Sequence, residues 1–521
     1  MTSLFSRRSF LLLLVLVTLS SVSPAATTTT ERAARPRGLA RQIEAILRRS
    51  EARRGHWGVE VARLSDGAVL YARDADRLFL PASNMKLFTT AAALERLGPD
   101  FVFRTTVESD APPDAGGRVG DIYLVGRGDP TLGNRVLPNQ LPPPDPPPAD
   151  TVFQKLAAEV AARGVREVGG NVIADDSYFL YEPFSHGWEE EDLQWGYGAP
   201  VTALAFNDNA LLLRVRPAPR VGEAAEVSLE PIADYYRVNN RLQTSAAGGR
   251  KRIYVERPAG SFQLDVWGEI PLDAGEDQDS VSISDPPQLA GELFRRALEA
   301  RGIVVRGRVE VHHLSRVEAA TRNDPPSGLP ARVVLAENLS LPLREDLKTI
   351  NKFSQNLHVE MLLRTLGREV KQYGSLTVGL EVLADFTSQV GIAPQEVNFA
   401  DGSGLSRHDL ISPRVVIKLL KFMAASPRFD AFLDSLPVAG VDGTLAERFT
   451  GSPLKGRLRA KTGTLEHTNA LSGYMDLPSG QRLAFSIVGN SHLLKPAEGA
   501  AVVDEIALAI YRQYVRRRTK R

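Results

Sequence analysis

At 521 residues the chain is too long for one compact core and points to two or three domains. Its 43% hydrophobic and 24% charged residues set general disorder aside, and a net formal charge of +1 gives no basis for nucleic acid as a partner. The absence of cysteine excludes disulfides, thiolate metal sites, a cysteine nucleophile and a lipid-modified N-terminal cysteine.

The N-terminus has the layout of an export signal over residues 1–26. Arg7 and Arg8 precede the apolar run Phe10 to Leu19, and the small residues Ser21-Val22-Ser23-Pro24-Ala25-Ala26 follow. That run is short for a membrane span, and no later stretch is apolar enough to be one. Ser6-Arg7-Arg8-Ser9-Phe10-Leu11 also resembles a twin-arginine signal, with the general secretory route as the alternative. The expected location is therefore the periplasm, with residues 27–36 as a disordered leader.

A helix is expected over Leu39 to Arg53, with Ile43, Ile46 and Leu47 on one face. Strands follow at Val59 to Leu64 and Ala68 to Tyr71, turned by Ser65-Asp66-Gly67. Leu80-Pro81-Ala82-Ser83-Asn84-Met85-Lys86 then runs into an apolar helix that stops at Gly98-Pro99. From about Asp110 to Pro330 the chain alternates in short runs, and Val119 to Val125, Val168 to Ala174, Ala210 to Val215 and Val304 to His312 read as strands. Leu141 to Pro148 reads as a polyproline-like connector. This stretch is expected to form one or two mostly β domains inserted into a single catalytic domain. Helices return at Pro342 to Phe353, Gln355 to Leu366, Ser375 to Gln389 and Arg414 to Met423. Strands near Leu471 to Asp476 and Arg482 to Val488 precede a last helix from about Ala500 to Val515. The pattern fits an α/β domain whose sheet is built from both ends of the chain.

Without cysteine, a hydrolase needs serine, metal or carboxylate chemistry. Ser83 and Lys86 are spaced i, i+3, which at a helix start puts both side chains on one face. A desolvated lysine can lose its proton and then accept one from serine. The pair alone says little, because about two such spacings arise by chance in a chain of this length. Ser452-Pro453-Leu454-Lys455 is such a decoy, with an internal proline and no apolar helix after it. Specificity comes from two further elements in order: Ser354-Gln355-Asn356 at a helix-to-helix junction, and Lys461-Thr462-Gly463-Thr464 ahead of the final hairpin. Serine-x-x-lysine, serine-x-asparagine and lysine-threonine-glycine in that order are the signature of penicillin-binding proteins and serine β-lactamases. The plainer alternatives are helix capping for Ser354 and Asn356 and an edge-strand lysine for Lys461.

The chain resembles the penicillin-binding protein 4 type of D-alanyl-D-alanine carboxypeptidase and endopeptidase. Beyond the three motifs, the likeness rests on Leu80-Pro81-Ala82-Ser83, Leu97-Gly98-Pro99-Asp100-Phe101, Gly128-Asp129-Pro130-Thr131-Leu132, Asp401-Gly402-Ser403-Gly404-Leu405-Ser406-Arg407 and Ala460-Lys461-Thr462-Gly463-Thr464. The resemblance implies an α/β transpeptidase-like domain, an antiparallel sheet with helices, in two parts at 37–108 and 331–521. It implies a second domain inserted at 109–330 with a third nested in it near 210–290. It also implies roles. Ser83 would be the acylated nucleophile and Lys86 its base, and Ser354 and Asn356 would relay a proton and hold the peptide. Lys461 and Thr462 would bind the substrate carboxylate, and the N–H groups of Ser83 and Thr464 would form the oxyanion hole beside Gly463. Asp192, in Gly187-Trp188-Glu189-Glu190-Glu191-Asp192, matches a family aspartate that meets the free amine of the diaminopimelate side chain; the alternative is an acidic surface loop.

The implied partners are peptidoglycan peptides ending in D-Ala-D-Ala or cross-linked through it, with β-lactams as acylating inhibitors. No cofactor or metal is expected. His312 and His313 are adjacent in a strand, so they point to opposite faces, and no H-E-x-x-H occurs. Ser403 beside His408 lacks a strand-to-helix nucleophile elbow and reads as a loop beside the cleft. The tail Arg516-Arg517-Arg518-Thr519-Lys520-Arg521 is either a solvated end or, with the last helix, a peripheral membrane contact. The rival functions are a β-lactamase, disfavoured by the large insertion, and a non-catalytic peptidoglycan-binding scaffold, disfavoured by the intact motifs.

Overall fold

The computed structural model describes residues 37–49, 51–134, 147–258, 260–321 and 332–515. The expected export signal, the leader, residues 141–146 of the proline-rich connector and the basic tail lie outside them.

Two ends of the chain make one sheet. Its five antiparallel strands run in the order Leu458–Leu465, Thr468–Asp476, Arg482–Asn490, His56–Arg63, Val69–Arg73. His56 lies opposite Asn490 and Arg63 opposite Leu483. Alternation along these strands gives the sheet two apolar faces. Val59, Val61, Leu471, Phe485 and Ile487 pack on the helices Arg37–Leu47 and Pro496–Val515 through Leu39, Ile43, Ile506 and Ile510. Ala62, Tyr474 and Ala484 on the other face meet the helices Lys86–Arg96, Asn356–Lys371, Leu376–Val390 and Pro413–Ala425. The expected α/β class and the sheet drawn from both ends are therefore found. The apolar face of the last helix packs on this core.

The middle of the chain is mostly β, as expected, with helices that the sequence reading passed over. A second five-stranded sheet has the order Val309–Leu314, Val172–Leu180, Ile122–Gly126, Arg104–Ser109, Val333–Leu339. Two full helices, Thr151–Ala162 and Pro286–Ala300, cover it through Phe153, Leu156, Phe294 and Ala297. The second helix carried a readable start: Pro286 and Pro287 lie in its first turn, and the Asp285 side chain accepts from Gln288 N at 3.1 Å. Three expected strands are each broken in two. The short pieces Arg118–Val119, Glu167–Val168 and Val304–Val305 form a parallel sheet of their own. The breaks fall at Gly120, Gly169-Gly170 and Gly307. There Asp121 Oδ1 accepts from Asn171 N at 2.7 Å, and Asn171 Oδ1 accepts from Arg308 N at 3.0 Å. A Cβ on Gly307 would lie 2.3 Å from the Gly170 carbonyl, so the apolar run crosses a kink with no room there for a side chain. The first helix also ends sooner than expected, at Leu47, where its apolar periodicity stops.

One buried ion cluster fastens the middle of the chain to the helices Leu343–Lys352 and Asn356–Lys371. His358 is 4% exposed; its Nδ1 lies 2.6 Å from Asp346 Oδ1 and its Nε2 3.0 Å from Asp208 Oδ1. Asp208 Oδ2 also accepts from Gln355 Nε2 at 2.6 Å. Burial lowers the histidine pKa, but Asp346 and Asp208 outweigh it and carry it from an ordinary 6.5 to about 10. A raised folded pKa means that this stabilisation is complete below pH 6.5 and is lost as pH rises through 10. Replacing His358 with glutamine strands two buried carboxylates at a cost of about 3–5 kcal/mol. Thermal unfolding should therefore show the gap in Tm between wild type and His358→Gln widest near pH 6 and shrinking toward pH 10. A gap that does not vary with pH contradicts the buried imidazolium.

Candidate active site

Ser83 lies in a single 3-10 turn, Ala82–Met85, that leads into the helix Lys86–Arg96. The turn brings Lys86 Nζ within 2.9 Å of Ser83 Oγ. Lys86 is fully buried, and its Nζ also contacts Asn356 Oδ1 at 2.6 Å and the Ser403 carbonyl at 2.7 Å. The Asn356 amide is oriented by its other end, since Nδ2 donates to the Tyr197 carbonyl at 2.9 Å. Two of the three partners of Lys86 can therefore only accept. A neutral amine has two N–H bonds for those acceptors and one lone pair left, aimed at the Ser83 hydroxyl. Burial pushes the Lys86 pKa down, Asp401 and then Glu360 pull it back, and the balance stands at about 7.

Ser354 and Asn356 flank the start of the helix Asn356–Lys371. Gln355, the residue between them, caps it: its Oε1 accepts from Leu357 N at 3.1 Å. Capping by the middle residue frees the side chains on either side. Ser354 has a left-handed backbone, φ 63°, and its Oγ accepts from Lys461 Nζ at 2.9 Å. Lys461 is fully buried on the edge strand Leu458–Leu465 and also donates to the Thr462 carbonyl at 2.9 Å. Burial, then the nearby charge of Lys86, lowers its pKa well below the ordinary lysine value. The Thr462 and Thr444 hydroxyls are 2.8 Å apart. Gly463 is where this strand passes the nucleophile turn; a Cβ there would sit 2.8 Å from the Pro81 carbonyl.

These side chains open on a cleft of about 900 Å3 lined by Ser83, Ser354, Asn356, Thr464, Leu405 and Arg407, among others. Asp192 lines the facing wall and is 9% exposed. Its Oδ1 accepts from the Tyr197 hydroxyl at 3.0 Å, while its buried Oδ2 has no hydrogen-bond partner among the described residues. Burial raises its pKa above the ordinary carboxylate value. The acidic run is thus divided: Glu189 pairs with Arg407 at 2.9 Å, and Asp192 faces the cleft.

The side chains of the decoys lie apart from this chemistry. Ser403 is buried and its hydroxyl turns to Asp401 Oδ2 at 3.1 Å, while the His408 ring packs on His186. Lys455 N donates to the Ser452 carbonyl in a turn. His312 and His313 pair separately with Asp175 and Asp176, and no cluster of three or more metal-ligating side chains occurs among the described residues. Sequence reasoning missed Tyr197 and the Ser403 carbonyl. Only the spacing of Tyr197, five residues past Asp192, hints at a shared wall, and nothing in a sequence shows a carbonyl direction.

An antiparallel sheet between helical layers, with a serine-lysine pair at the end of a buried helix, is the architecture of the penicillin-binding proteins. The fold superimposes on penicillin binding protein 4 (dacB) from Haemophilus influenzae with a TM-score of 0.76, over 91% of this chain and 99% of that one, at 22% identity. Residues 39–512 match the D-Ala-D-Ala carboxypeptidase 3 (S13) family, and the chain belongs to that family. The D-alanyl-D-alanine carboxypeptidase of Actinomadura sp. (strain R39) is 38% identical over 487 residues, which is 91% of this chain and 84% of that protein. The D-alanyl-D-alanine carboxypeptidase DacB of Haemophilus influenzae is 25% identical over 434 residues, 82% of this chain and 84% of that protein.

Proposed function

We propose that this chain is an exported, penicillin-sensitive serine D-alanyl-D-alanine carboxypeptidase and endopeptidase that cuts peptidoglycan stem peptides and cross-links. The observation that carries the reading is Lys86: a fully buried amine 2.9 Å from Ser83 Oγ, with its other two partners limited to accepting. Ser83 Oγ attacks the carbonyl of the penultimate D-alanine as its proton passes to Lys86 Nζ. The N–H groups of Ser83 and Thr464 take the oxyanion. The C–N bond then breaks, the leaving amine receives a proton by way of Ser354, and water hydrolyses the acyl-enzyme. Asn356 holds the lysine and the substrate backbone.

Lys461 and Thr462 receive the terminal carboxylate. Burial and the nearby charge of Lys86 lower the Lys461 pKa, and a bound carboxylate supplies the counter-charge that favours its ammonium form. A β-lactam ring opens by the same attack, but its leaving nitrogen stays tethered. In line with that, the Haemophilus influenzae protein was crystallised in complex with a β-lactam. The domain division at 109–330, with a nested unit near 210–290, belongs to this proposal. So do export through residues 1–26 to the periplasm and, at most, a peripheral membrane contact of the basic tail. Among the described residues no helix is long and apolar enough to cross a membrane.

Mass spectrometry after penicillin treatment should find one adduct, on the peptide that holds Ser83. An adduct on Ser403 or Ser452 contradicts the assignment, an unlabelled chain favours the scaffold reading, and rapid drug turnover favours a β-lactamase.

Asp192 supplies specificity in this reading. Its buried Oδ2, without a hydrogen-bond partner among the described residues, suits a substrate ammonium, and such a charge-assisted bond is worth about 1.5–3 kcal/mol. Asp192→Asn should slow hydrolysis of peptides with a free side-chain amine by roughly ten- to hundred-fold. It should leave acetylated peptides and penicillin acylation nearly unchanged. An equal rate ratio for the two peptides in wild type and mutant removes Asp192 from the site.

A further inference from the structure

Behind Lys86, on the side away from the cleft, lies a set of buried carboxylates that the acylation steps above do not use. Asp401 is fully buried, and the loop after it folds round its side chain. Its Oδ1 accepts from Ser403 N at 3.0 Å and Gly404 N at 2.6 Å. Its Oδ2 accepts from Ser406 N at 2.7 Å, Ser403 Oγ at 3.1 Å and Trp188 Nε1 at 2.9 Å. Glu360, also fully buried, stands one turn after Asn356 on the same helix face. Its Oε1 accepts from Gly402 N and Ser403 N, both at 2.9 Å, and its Oε2 from Ser185 Oγ at 2.8 Å and Arg364 Nη1 at 3.2 Å.

The Ser403–Gly404 peptide unit decides where the Ser403 carbonyl points. In a planar trans peptide the N–H and C=O point in opposite directions. Asp401 holds the Gly404 N–H, so the carbonyl of the same unit is aimed away from Asp401 and reaches Lys86 Nζ at 2.7 Å. Gly404 itself must be glycine. Its φ is +80°, and a Cβ would lie 1.9 Å from the Ala82 carbonyl, next to the nucleophile.

Charge is arranged as tightly as direction. Every hydrogen-bond partner named above for Asp401 and Glu360 is a donor, an arrangement that favours the ionised carboxylate, against which burial and the charge of Asp401 raise the Glu360 pKa above its ordinary value. Asp409, the third acid, is different. Burial and the adjacent Asp401 hold its pKa well above the ordinary value, which favours its protonated form. With Asp409 protonated, Asp401 and Glu360 ionised and Arg364 charged, the cluster is neutral when Lys86 is protonated and holds one excess negative charge when Lys86 is not. The other titratable groups near Lys86 are Lys461 from the edge strand, which faces it across Ser354, and Asp192 on the far wall of the cleft.

We infer that Glu360 and Asp401 are positioning residues for acylation, which aim the Ser403 carbonyl at Lys86 and supply the buried counter-charge for the proton that Lys86 takes from Ser83. The inference rests on Lys86 acting as the base. As the O–H bond of Ser83 breaks and the N–H bond at Lys86 forms, the cluster returns to neutrality, and the lysine later gives that proton back toward the leaving amine. Without the counter-charge, burial alone would leave the lysine too weak a base to take the proton. The arm that carries Asp192 is docked on the same two carboxylates through Ser185 and Trp188.

The test is the second-order rate of Ser83 acylation by a fluorescent penicillin from pH 5 to 9. The wild-type rate should rise through about pH 7 as neutral lysine forms. Glu360→Gln removes one negative charge, so the rising limb should move to lower pH by about one unit or more, with a lower plateau. Trp188→Phe withdraws one donor from Asp401, leaves its charge less compensated and should move the limb upward by a few tenths of a unit. Packing damage has no reason to shift the limb in opposite directions in the two variants. A limb that stays at the wild-type pH in both, or a downward move in Trp188→Phe, overturns the inference. If Glu360→Gln does not fold, Trp188→Phe decides alone. Wild type unlabelled at Ser83 at every pH would sink the catalytic reading itself, whereas labelling with an unmoved limb sinks only this inference.

Discussion

Lys86 Nζ meets three oxygens drawn from separate parts of the chain: the nucleophile turn, the start of the helix Asn356–Lys371 and the loop after Asp401. Burying an ammonium is costly enough that the group gives up its proton unless opposite charge holds it. The site works with both tendencies. Complete burial alone would make the lysine a permanently neutral and feeble base. The carboxylates behind it alone would lock it as an ammonium that cannot accept a proton. Set against each other, they leave a lysine near pH 7, where an amine is both free and strong enough to deprotonate serine.

Much of the architecture serves to hold that one amine in place. The sheet made from both ends of the chain sets the edge strand Leu458–Leu465 beside the nucleophile turn, and Gly463 lets the two backbones approach. The helix Asn356–Lys371 carries Asn356 toward the cleft, Glu360 behind the lysine and His358 into the cluster with Asp346 and Asp208. One helix therefore joins the base, its counter-charge and the inserted middle of the chain. The second buried lysine, Lys461, has no nearby carboxylate among the causes of its shift, only Lys86 as a like charge. That contrast separates their uses: one lysine is tuned by the protein, and the other awaits its counter-charge from the substrate.

What the sequence disclosed of this site was what is local. Ser83 and Lys86 are one turn apart, Ser354 and Asn356 flank one capping residue, and Lys461 to Thr464 are consecutive on one strand; each pattern survives in a string of letters. Glu360, Asp401 and the Ser403 carbonyl were hidden. Their contribution lies in a peptide plane and in burial, and both depend on contacts between distant segments. The sheet formed from the two ends was legible because its strands are short apolar runs bounded by turn signals such as Ser65-Asp66-Gly67. The middle of the chain was less so. Glycine kinks at Gly120, Gly169-Gly170 and Gly307 cut apolar runs that look continuous, and two helices there were passed over among the turns and prolines that surround them.

The resting charge of the buried Lys86 can be observed without turnover. In protein labelled with 13C at lysine Cε and 15N at Nζ, one resonance pair should vanish in Lys86→Arg and, in wild type, titrate near pH 7. A Lys86 resonance that keeps its ammonium shift up to the ordinary lysine range, about pH 10, would contradict the central claim.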